Sequence, residues 1–321
     1  MAEIKNMLIE TEDLAQALTE KLAQEYQISA TAEVQEVMKT NTKKIGITVK
    51  VSDGDKPIIA PTVYPDNYAD FNFDEKVDAM ARAVNEGIKH RPELPELTAE
   101  EARRHITLTV MNAEKNAERL ETTPHFLFAD GELAAVPRWR ISENASFIVS
   151  NDLAAHMGLT PDEVLQIGQQ NINSQHFEAE SMRETLMKMM GQDIPPEIMM
   201  EMLPPMSGPE MIVMSNEQKM QGASVLLSQQ TLDELHEKIG DYVIIPSSIH
   251  EVIAVPITDD ISPDELRAMV KEVNGTQVAP EEQLSDNIMM YDGQKLSLVG
   301  DTFKLEMEQQ TMKQESVKFA M

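Results

Sequence analysis

The sequence has no cysteine, and aromatic residues make up only 4% of its 321 residues. Without cysteine, disulfides, iron–sulfur clusters and thiol nucleophiles are excluded. With so few aromatic rings, the core must be mostly aliphatic and partly filled by the 23 methionines. No run approaches the about 20 apolar residues that cross a bilayer. The first residues, MAEIKNMLIETEDLAQ, lack the basic start and apolar centre of a signal peptide. We therefore expect a cytoplasmic protein with no membrane partner.

Positive charge is also scarce, because 27 lysines and arginines stand against 55 aspartates and glutamates, a net charge of −28. Such a chain repels nucleic acid, so no nucleic-acid partner is expected. One hypothesis is that the acidic surface mimics DNA and inhibits a nucleic-acid-binding protein. Because the acidic residues are interspersed with lysine and arginine, solubility is the simpler explanation of the charge.

Several catalytic and cofactor-binding motifs are missing. The sequence contains no G-x-G-x-x-G, no G-x-x-x-x-G-K-[ST] and no G-x-S-x-G. His250-Glu251 is not followed by a second histidine at the zincin spacing, because Ala254 stands there. None of the seven histidines has another four residues away, the spacing of a helical metal site. We expect no cofactor and no metal.

Turn and capping signals predict an α+β fold with antiparallel sheets built from hairpins and helices packed on them. Asp-Gly pairs lie between apolar runs at Asp53-Gly54, Asp130-Gly131 and Asp292-Gly293, and such pairs favour hairpin turns. Thr160 and Ser262 are each followed by proline and, at the third position, glutamate, which predicts two helix starts. Periodicity predicts further helices over residues 1–28, 77–88 and 223–239. It predicts strands over residues 45–51, 105–111, 126–128, 133–140, 147–149, 211–214, 242–245, 252–257, 288–291 and 296–299.

The proline-rich string RPELPEL predicts a domain boundary near residue 95. We expect an N-terminal α+β domain over residues 1–95 and a main α+β domain over residues 96–300. The main domain carries a Met/Pro-rich helical insert at about residues 182–210, and residues 301–321 form a C-terminal tail. Eleven of the 23 methionines lie in residues 182–220. A binding surface of Met199, Met200, Met202 and Met206 is one interpretation, and internal packing is the commoner use of methionine.

The string Ser247-Ser248-Ile249-His250-Glu251 is the strongest candidate for catalysis. In an extended chain Ser248 and His250 project to the same side, and histidine is a usable base. A nucleophilic site also needs an orienting acid and an oxyanion hole, and neither is visible in the string. The alternative is a polar turn in which the serine side chains bind nearby backbone groups.

Arg138-Trp139-Arg140 contains the only tryptophan. Two cations beside an indole can form a stacking platform for a nucleotide or a single strand. Strand alternation offers a simpler interpretation, with Trp139 pointing inward and Arg138 and Arg140 pointing outward.

Longer strings resemble a family of uncharacterised bacterial proteins, domain of unknown function 5688. The strings include SFIVSNDLAAHMGLTPDEVLQIGQQN, the stretch from Ser215-Asn216 to Gly222-Ala223, and IPSSIHEV followed by the stretch from Val270 to Tyr291. The resemblance covers roughly residues 30–300. Ser215-Asn216 replaces the Thr-Asn usual in the family, and the methionine-rich insert is longer than usual. The resemblance implies a source among Gram-positive gut anaerobes, sometimes within mobile elements, and it implies no activity, ligand or catalytic residue.

From the residues we expect a non-enzymatic binding or accessory protein whose partner is a protein. Two alternatives stay open. One is a hydrolase that uses the Ser247–Glu251 loop, and the other is the acidic DNA mimic.

Overall fold

The computed structural model describes residues 2–51, 60–90, 92, 95–142, 145–190, 209–258 and 262–300. Asp53-Gly54, the four methionines Met199, Met200, Met202 and Met206, and the tail 301–321 lie outside the described residues. Two compact units are present. The first comprises the described residues up to Glu96 together with Ile141–Ser146, and the second comprises Leu97–Arg140 and the described residues from Phe147 onward.

The first unit packs two helices on a three-stranded antiparallel sheet, in the order β1-β2-β3. Its elements are α1 (Ala2–Tyr26), β1 (Ala30–Met38), β2 (Lys43–Val51), β3 (Thr62–Val63), a 3₁₀ turn (Pro65–Tyr68) and α2 (Phe73–Lys89). Leu14, Leu18 and Leu22 form one stripe of α1 and are fully buried. The core of this unit also contains Ile47 and Val49 of β2, so the predicted helix and the predicted strand are confirmed.

Strand β1 has no counterpart among the predicted elements. Its sequence is ATAEVQEVM, in which alanine, glutamine and glutamate have low strand propensity. The two valines, Val34 and Val37, fall on opposite faces of a strand. Pairing with all nine residues of β2 stabilises this segment as a strand, and that pairing is not visible in the segment itself.

The second unit contains two sheets. One has the order β4-β6-β5, with β7 also beside β6, and the other has the order β13-β12-β10-β11-β9-β8. The elements up to the second sheet are α3 (Ala99–His105), β4 (Ile106–Asn112), α4 (Ala117–Leu120), β5 (Phe126–Phe128), β6 (Leu133–Arg140), β7 (Ser146–Ile148), α5 (Asn151–His156) and α6 (Pro161–Ser174). The elements that follow are β8 (Phe177–Ser181), α7 (Met182–Met190), β9 (Ile212–Asn216), a 3₁₀ segment (Gly222–Leu227), α8 (Gln229–Ile239), β10 (Tyr242–Ile245), β11 (Val252–Pro256), α9 (Pro263–Thr276), β12 (Met289–Tyr291) and β13 (Leu296–Leu298). The registered strand pairs are antiparallel, so the predicted α+β class is confirmed.

Strand β10 is apolar throughout because both of its faces are covered. Tyr242 and Ile244 belong to a core shared with β4 and β6. Val243 and Ile245 face the opposite way and pack with Val270 and other residues of α9. A strand buried on both faces reads as a continuous apolar run rather than an alternating one, and the sequence YVII follows that rule.

Both Asp-Gly hairpins within the described chain are present. β5 and β6 pair across Asp130-Gly131, and β12 and β13 pair across Asp292-Gly293. The first link is a 3₁₀ turn in which Ala129 and Asp130 adopt φ values of 51° and 54°. Gly293 adopts a φ of 79° in the second. Left-handed backbone at these positions is why Asp and Gly occupy the turns.

The two predicted helix starts are also confirmed. The hydroxyl of Thr160 accepts from the backbone N–H of Glu163, whose side chain accepts in return from the N–H of Thr160. The Ser262 hydroxyl likewise accepts from the N–H of Glu265. In contrast, the prediction of one helix over residues 223–239 is wrong. A 3₁₀ segment ends at Leu227, and Ser228 caps α8 because its side chain accepts from the N–H of Thr231.

None of the helices in the described ranges is both long enough and apolar enough to cross a membrane.

Two core tyrosines have unusual environments. Tyr242 and Tyr291 are both fully buried. The Tyr242 hydroxyl donates to the carbonyl oxygen of Leu232 at 3.1 Å, and the Tyr291 hydroxyl donates to the carboxylate of Asp233. Burial raises the pKa of both phenols, and the charge of Asp233 raises both further.

We expect these two phenols to stay protonated in the folded protein at about pH 11 and to ionise when it unfolds. Their folded pKa values lie above the unfolded ones, so they stabilise the fold below about pH 10 and lose that effect as the pH rises further. Tyrosinate absorbance at about pH 11, measured with and without urea, should differ by two of the five tyrosines. A difference near zero would contradict this prediction.

Candidate functional site

Two loops of the second unit meet at His250. One is the link between β10 and β11, and the other is the turn that follows β9. The backbone N–H of Gln221 donates to Nδ1 of His250 at 3.3 Å. The Ser215 hydroxyl donates to the carbonyl oxygen of His250 at 2.8 Å, and the Ala223 N–H donates to that of Ile249 at 3.2 Å. The strings Ser215-Asn216 to Gly222-Ala223 and IPSSIHEV are therefore in direct contact.

Gly222 allows this close approach. A Cβ atom at Gly222 would lie 2.1 Å from the hydroxyl of Ser215 and 2.4 Å from the carbonyl oxygen of His250. Both distances are far below van der Waals contact, so only glycine fits. The neighbouring Gln221 adopts a φ of 56° and its side chain accepts from the hydroxyl of Thr109, which ties the turn to β4.

The hydroxyl of Ser248 acts as a backbone acceptor. It accepts from the N–H of His250 at 3.0 Å and from the N–H of Glu251 at 3.3 Å. The N–H of Ser248 in turn donates to the carbonyl oxygen of Glu251 at 3.1 Å. This is the geometry of a serine-stabilised turn.

The ring of His250 faces the carboxylate of Glu282, a residue from a separate segment of the chain, rather than a serine. Its Nδ1 accepts a backbone hydrogen bond, so neutral His250 carries its proton on Nε2. Nε2 lies 3.7 Å from the carboxylate of Glu282, which is beyond hydrogen-bond reach. A catalytic role for Ser247, Ser248, His250 and Glu251 stays a prediction. Gln221 and Glu282, which touch or face the ring, were not candidates from sequence, because they come from separate segments.

We expect Ser248→Ala to destabilise the protein by about 1 kcal/mol, because two backbone N–H groups lose their acceptor. Ser247→Ala is the matched control, since no side-chain hydrogen bond of Ser247 is present among the described residues. Its effect should stay within about 0.5 kcal/mol. Urea unfolding followed by circular dichroism measures both, and equal losses for the two variants would refute the turn-stabilising role of Ser248.

An apolar cavity of about 80 Å³ lies beside the same loop, between α9 and the six-stranded sheet. Ser247 and Asn274 contribute its polar lining. The remaining lining is apolar and consists of Met211, Ile245, Ile253, Met269, Val270 and Val273. Met269 and Val273, four residues apart on α9, are 42% and 37% exposed. The cavity is therefore bordered by apolar side chains that water can reach.

In the segment Arg138-Trp139-Arg140, the tryptophan is buried and the two arginines are more exposed. Trp139 is fully buried and is stacked with His105 and Phe147, at ring-centre distances of 5.5 Å and 6.0 Å. Arg140 is exposed and Arg138 is half-buried. Burial, together with the charge of Arg119, lowers the pKa of Arg138 to about 10. Roles for Arg138 and Arg140 in binding stay predictions.

Metal-binding geometry is not found in the described ranges, where no three histidine, aspartate or glutamate side chains are grouped to hold an ion. Residues 11–293 match a family model described as a family of unknown function, DUF5688. No curated protein and no solved structure matches the chain.

Proposed function

The chain belongs to the family of unknown function DUF5688, and from that premise we propose that it is a non-enzymatic binding protein whose partner is another protein. The cavity beneath α9 carries this proposal. An apolar cavity of about 150 Å³ admits benzene, so one of about 80 Å³ suits a single aliphatic side chain. We propose that the partner inserts such a side chain between Met269, Val273 and the sheet.

The lining favours an apolar anchor over a polar metabolite. Six of the eight lining residues are apolar. Of the two polar ones, Asn274 already uses its amide N–H groups on the carbonyl oxygen of Ser285 and the carboxylate of Asp286. A polar ligand would therefore lose hydration without gaining many hydrogen bonds. An aliphatic side chain of a protein partner loses no hydrogen bonds to water when it enters the cavity. Buried apolar anchors of this kind commonly dominate the free energy of binding.

The negative charge of the chain indicates which partner residues should flank the inserted aliphatic side chain. The net charge is −28, and on α9 the exposed acidic residues Asp264, Glu265 and Glu272 outnumber the one exposed basic residue, Lys271. A basic segment is drawn to such a surface, whereas an acidic one is repelled. We therefore expect an aliphatic residue flanked by lysine or arginine.

Peptide selection against the full chain, for example by phage display, tests this proposal. The expected consensus is one aliphatic residue within a basic context. Val273→Asp places a charge at the cavity and should weaken the selected peptides by about tenfold or more, because a carboxylate would have to be desolvated.

Ala268→Asp is the matched control, since it adds the same charge to the same helix at an exposed position that does not line the cavity. Peptide affinity for this variant should stay close to that of the unchanged protein. A consensus without an aliphatic residue, or equal weakening by both variants, would overturn the proposal.

We also propose that the protein is cytoplasmic and of bacterial origin. The hydrolase and the DNA-mimic alternatives stay hypotheses, and the turn geometry of Ser248 supports the binding protein over the hydrolase.

A further inference from the structure

The helix that borders the cavity, α9, also holds Gly300, the residue before the predicted C-terminal tail of residues 301–321. The guanidinium of Arg267 on α9 donates to the carbonyl oxygens of Val299 and Gly300. Val299 is buried and belongs to the same core cluster as Val270, which lines the cavity. The tail therefore begins beside the helix that forms one wall of the cavity.

The tail is long enough to reach the cavity. Arg267 and Val273 are six positions apart on α9, which corresponds to about 9 Å along a helix. Val317 follows Gly300 by 17 positions. An unstructured chain of that length has a root-mean-square end-to-end distance of about 20–25 Å. The chain between Gly300 and Val317 can therefore span the distance to the cavity.

The later part of the tail has the composition that the cavity and its surroundings favour. Residues 312–321, MKQESVKFAM, carry two lysines and one glutamate, in a chain whose net charge is −28. Val317 is aliphatic and is followed by Lys318, with Lys313 four positions before it. Residues 301–308, in contrast, carry three acidic residues and one lysine. An aliphatic side chain between lysines suits an apolar cavity on an acidic surface.

We propose that the tail docks on its own chain, with the side chain of Val317 in the cavity beneath α9, and that a protein partner must displace it. This inference rests on the proposed function, because tail and partner share the cavity. A tethered ligand acts at an effective concentration of about 1 mM. A tail with an intrinsic Kd of about 0.1 mM therefore fills the cavity in about nine of ten molecules and weakens partner binding about tenfold.

Fluorescence anisotropy with a labelled peptide of residues 311–321 tests the docking on the full chain. The peptide should bind the unchanged protein weakly, because the tail of the chain already fills the cavity. Val317→Asp in the chain should raise peptide affinity about tenfold, since a carboxylate is costly to bury in an apolar cavity. Gln309→Asp is the matched control, because it adds the same charge to the tail eight positions away. It should leave peptide affinity unchanged.

Two further variants test where the peptide binds and how it is recognised. Val273→Asp, combined with Val317→Asp, should remove the gain in affinity, because it places a charge at the cavity. Lys318→Glu in the chain reverses the charge beside Val317 and should raise peptide affinity about threefold. This variant gives a second measurement of tail release if Val317→Asp fails to fold.

Equal peptide affinities of the unchanged protein and the Val317→Asp variant would sink the inference. Peptide binding that Val273→Asp does not weaken would also contradict it. Sedimentation of the unchanged protein tests the remaining occupant, the tail of a second copy. A dimer that Val317→Asp converts to a monomer would show docking between chains and would refute docking within one chain.

Failure of the tail and failure of the proposed function give different results. Suppose that basic, aliphatic peptides selected against the full chain bind the unchanged protein and the Val317→Asp variant equally, and that Val273→Asp weakens both. The protein partner then stands and the tail does not dock. Suppose instead that only the 311–321 peptide binds, and that Val273→Asp weakens it. Tail docking then stands, and the proposed protein partner is refuted.

Discussion

Trp139→Ala is expected to destabilise the second unit by about 3–5 kcal/mol, the usual result of truncating a large buried aromatic residue. Trp139 is fully buried and stacked with His105 and Phe147, so its removal leaves a cavity lined by two rings. Natural domains are stable by only about 5–15 kcal/mol. The variant should therefore lose a large part of its stability.

Urea unfolding followed by circular dichroism measures this loss, since the variant has no tryptophan left to serve as a fluorescent probe. Trp139→Phe is the matched control, because it keeps a ring for stacking and leaves a smaller void. Its loss should be about 1–2 kcal/mol. Similar stabilities of the alanine variant and the unchanged protein would mean that this ring does not support the core.

Gly222→Ala is expected to destabilise the protein by about 3 kcal/mol, at the upper end of the range for overpacking. The added methyl group would lie 2.4 Å from the carbonyl oxygen of His250 and 2.1 Å from the Ser215 hydroxyl. The serine side chain can rotate away, but the carbonyl belongs to the backbone of the Ser247–Glu251 loop. Relief therefore requires the two loops to separate, which also breaks the hydrogen bond from Gln221 to His250.

Gly275→Ala, in the same unit, is expected to stabilise the protein rather than destabilise it. No heavy atom lies within 4 Å of a Cβ built at Gly275, and this residue is near the end of α9. Alanine there should stabilise the protein by up to about 1 kcal/mol, because it restricts the unfolded chain. Melting temperatures of the two variants should shift in opposite directions. If Gly222→Ala melts no lower than Gly275→Ala, the described contact between the two loops is wrong.

Turns and helix starts were predictable from the sequence, because the contacts that specify them join residues only a few positions apart. The Asp130-Gly131 and Asp292-Gly293 turns need left-handed backbone, which aspartate and glycine tolerate. The start of α6 is specified by Thr160, Pro161 and Glu163, whose capping contacts span three residues. The break at Ser228 was missed because the apolar periodicity continues across it, although serine is itself a capping residue.

The candidate sites depended on long-range contacts and were only partly predictable. The sequence makes the Ser247–Glu251 loop a catalytic candidate because serine and histidine are common catalytic side chains. In the structure Ser248 serves its own turn, and His250 contacts Gln221, which is 29 positions away in the chain. No local sequence pattern indicates that contact. The one trace of it in the sequence is Gly222, where the structure leaves no room for a Cβ atom.

The sequence by itself determined the absence of thiol and disulfide chemistry, the acidic surface, the α+β class and the hairpins and caps just described. Each of these follows from composition or from neighbouring residues. Only the tertiary structure decided that β1 is a strand, that α9 leaves an apolar cavity against the sheet, and that Gln221 contacts His250. These features arise when distant segments pack together, and the free energy that favours them comes from contacts that no single segment contains.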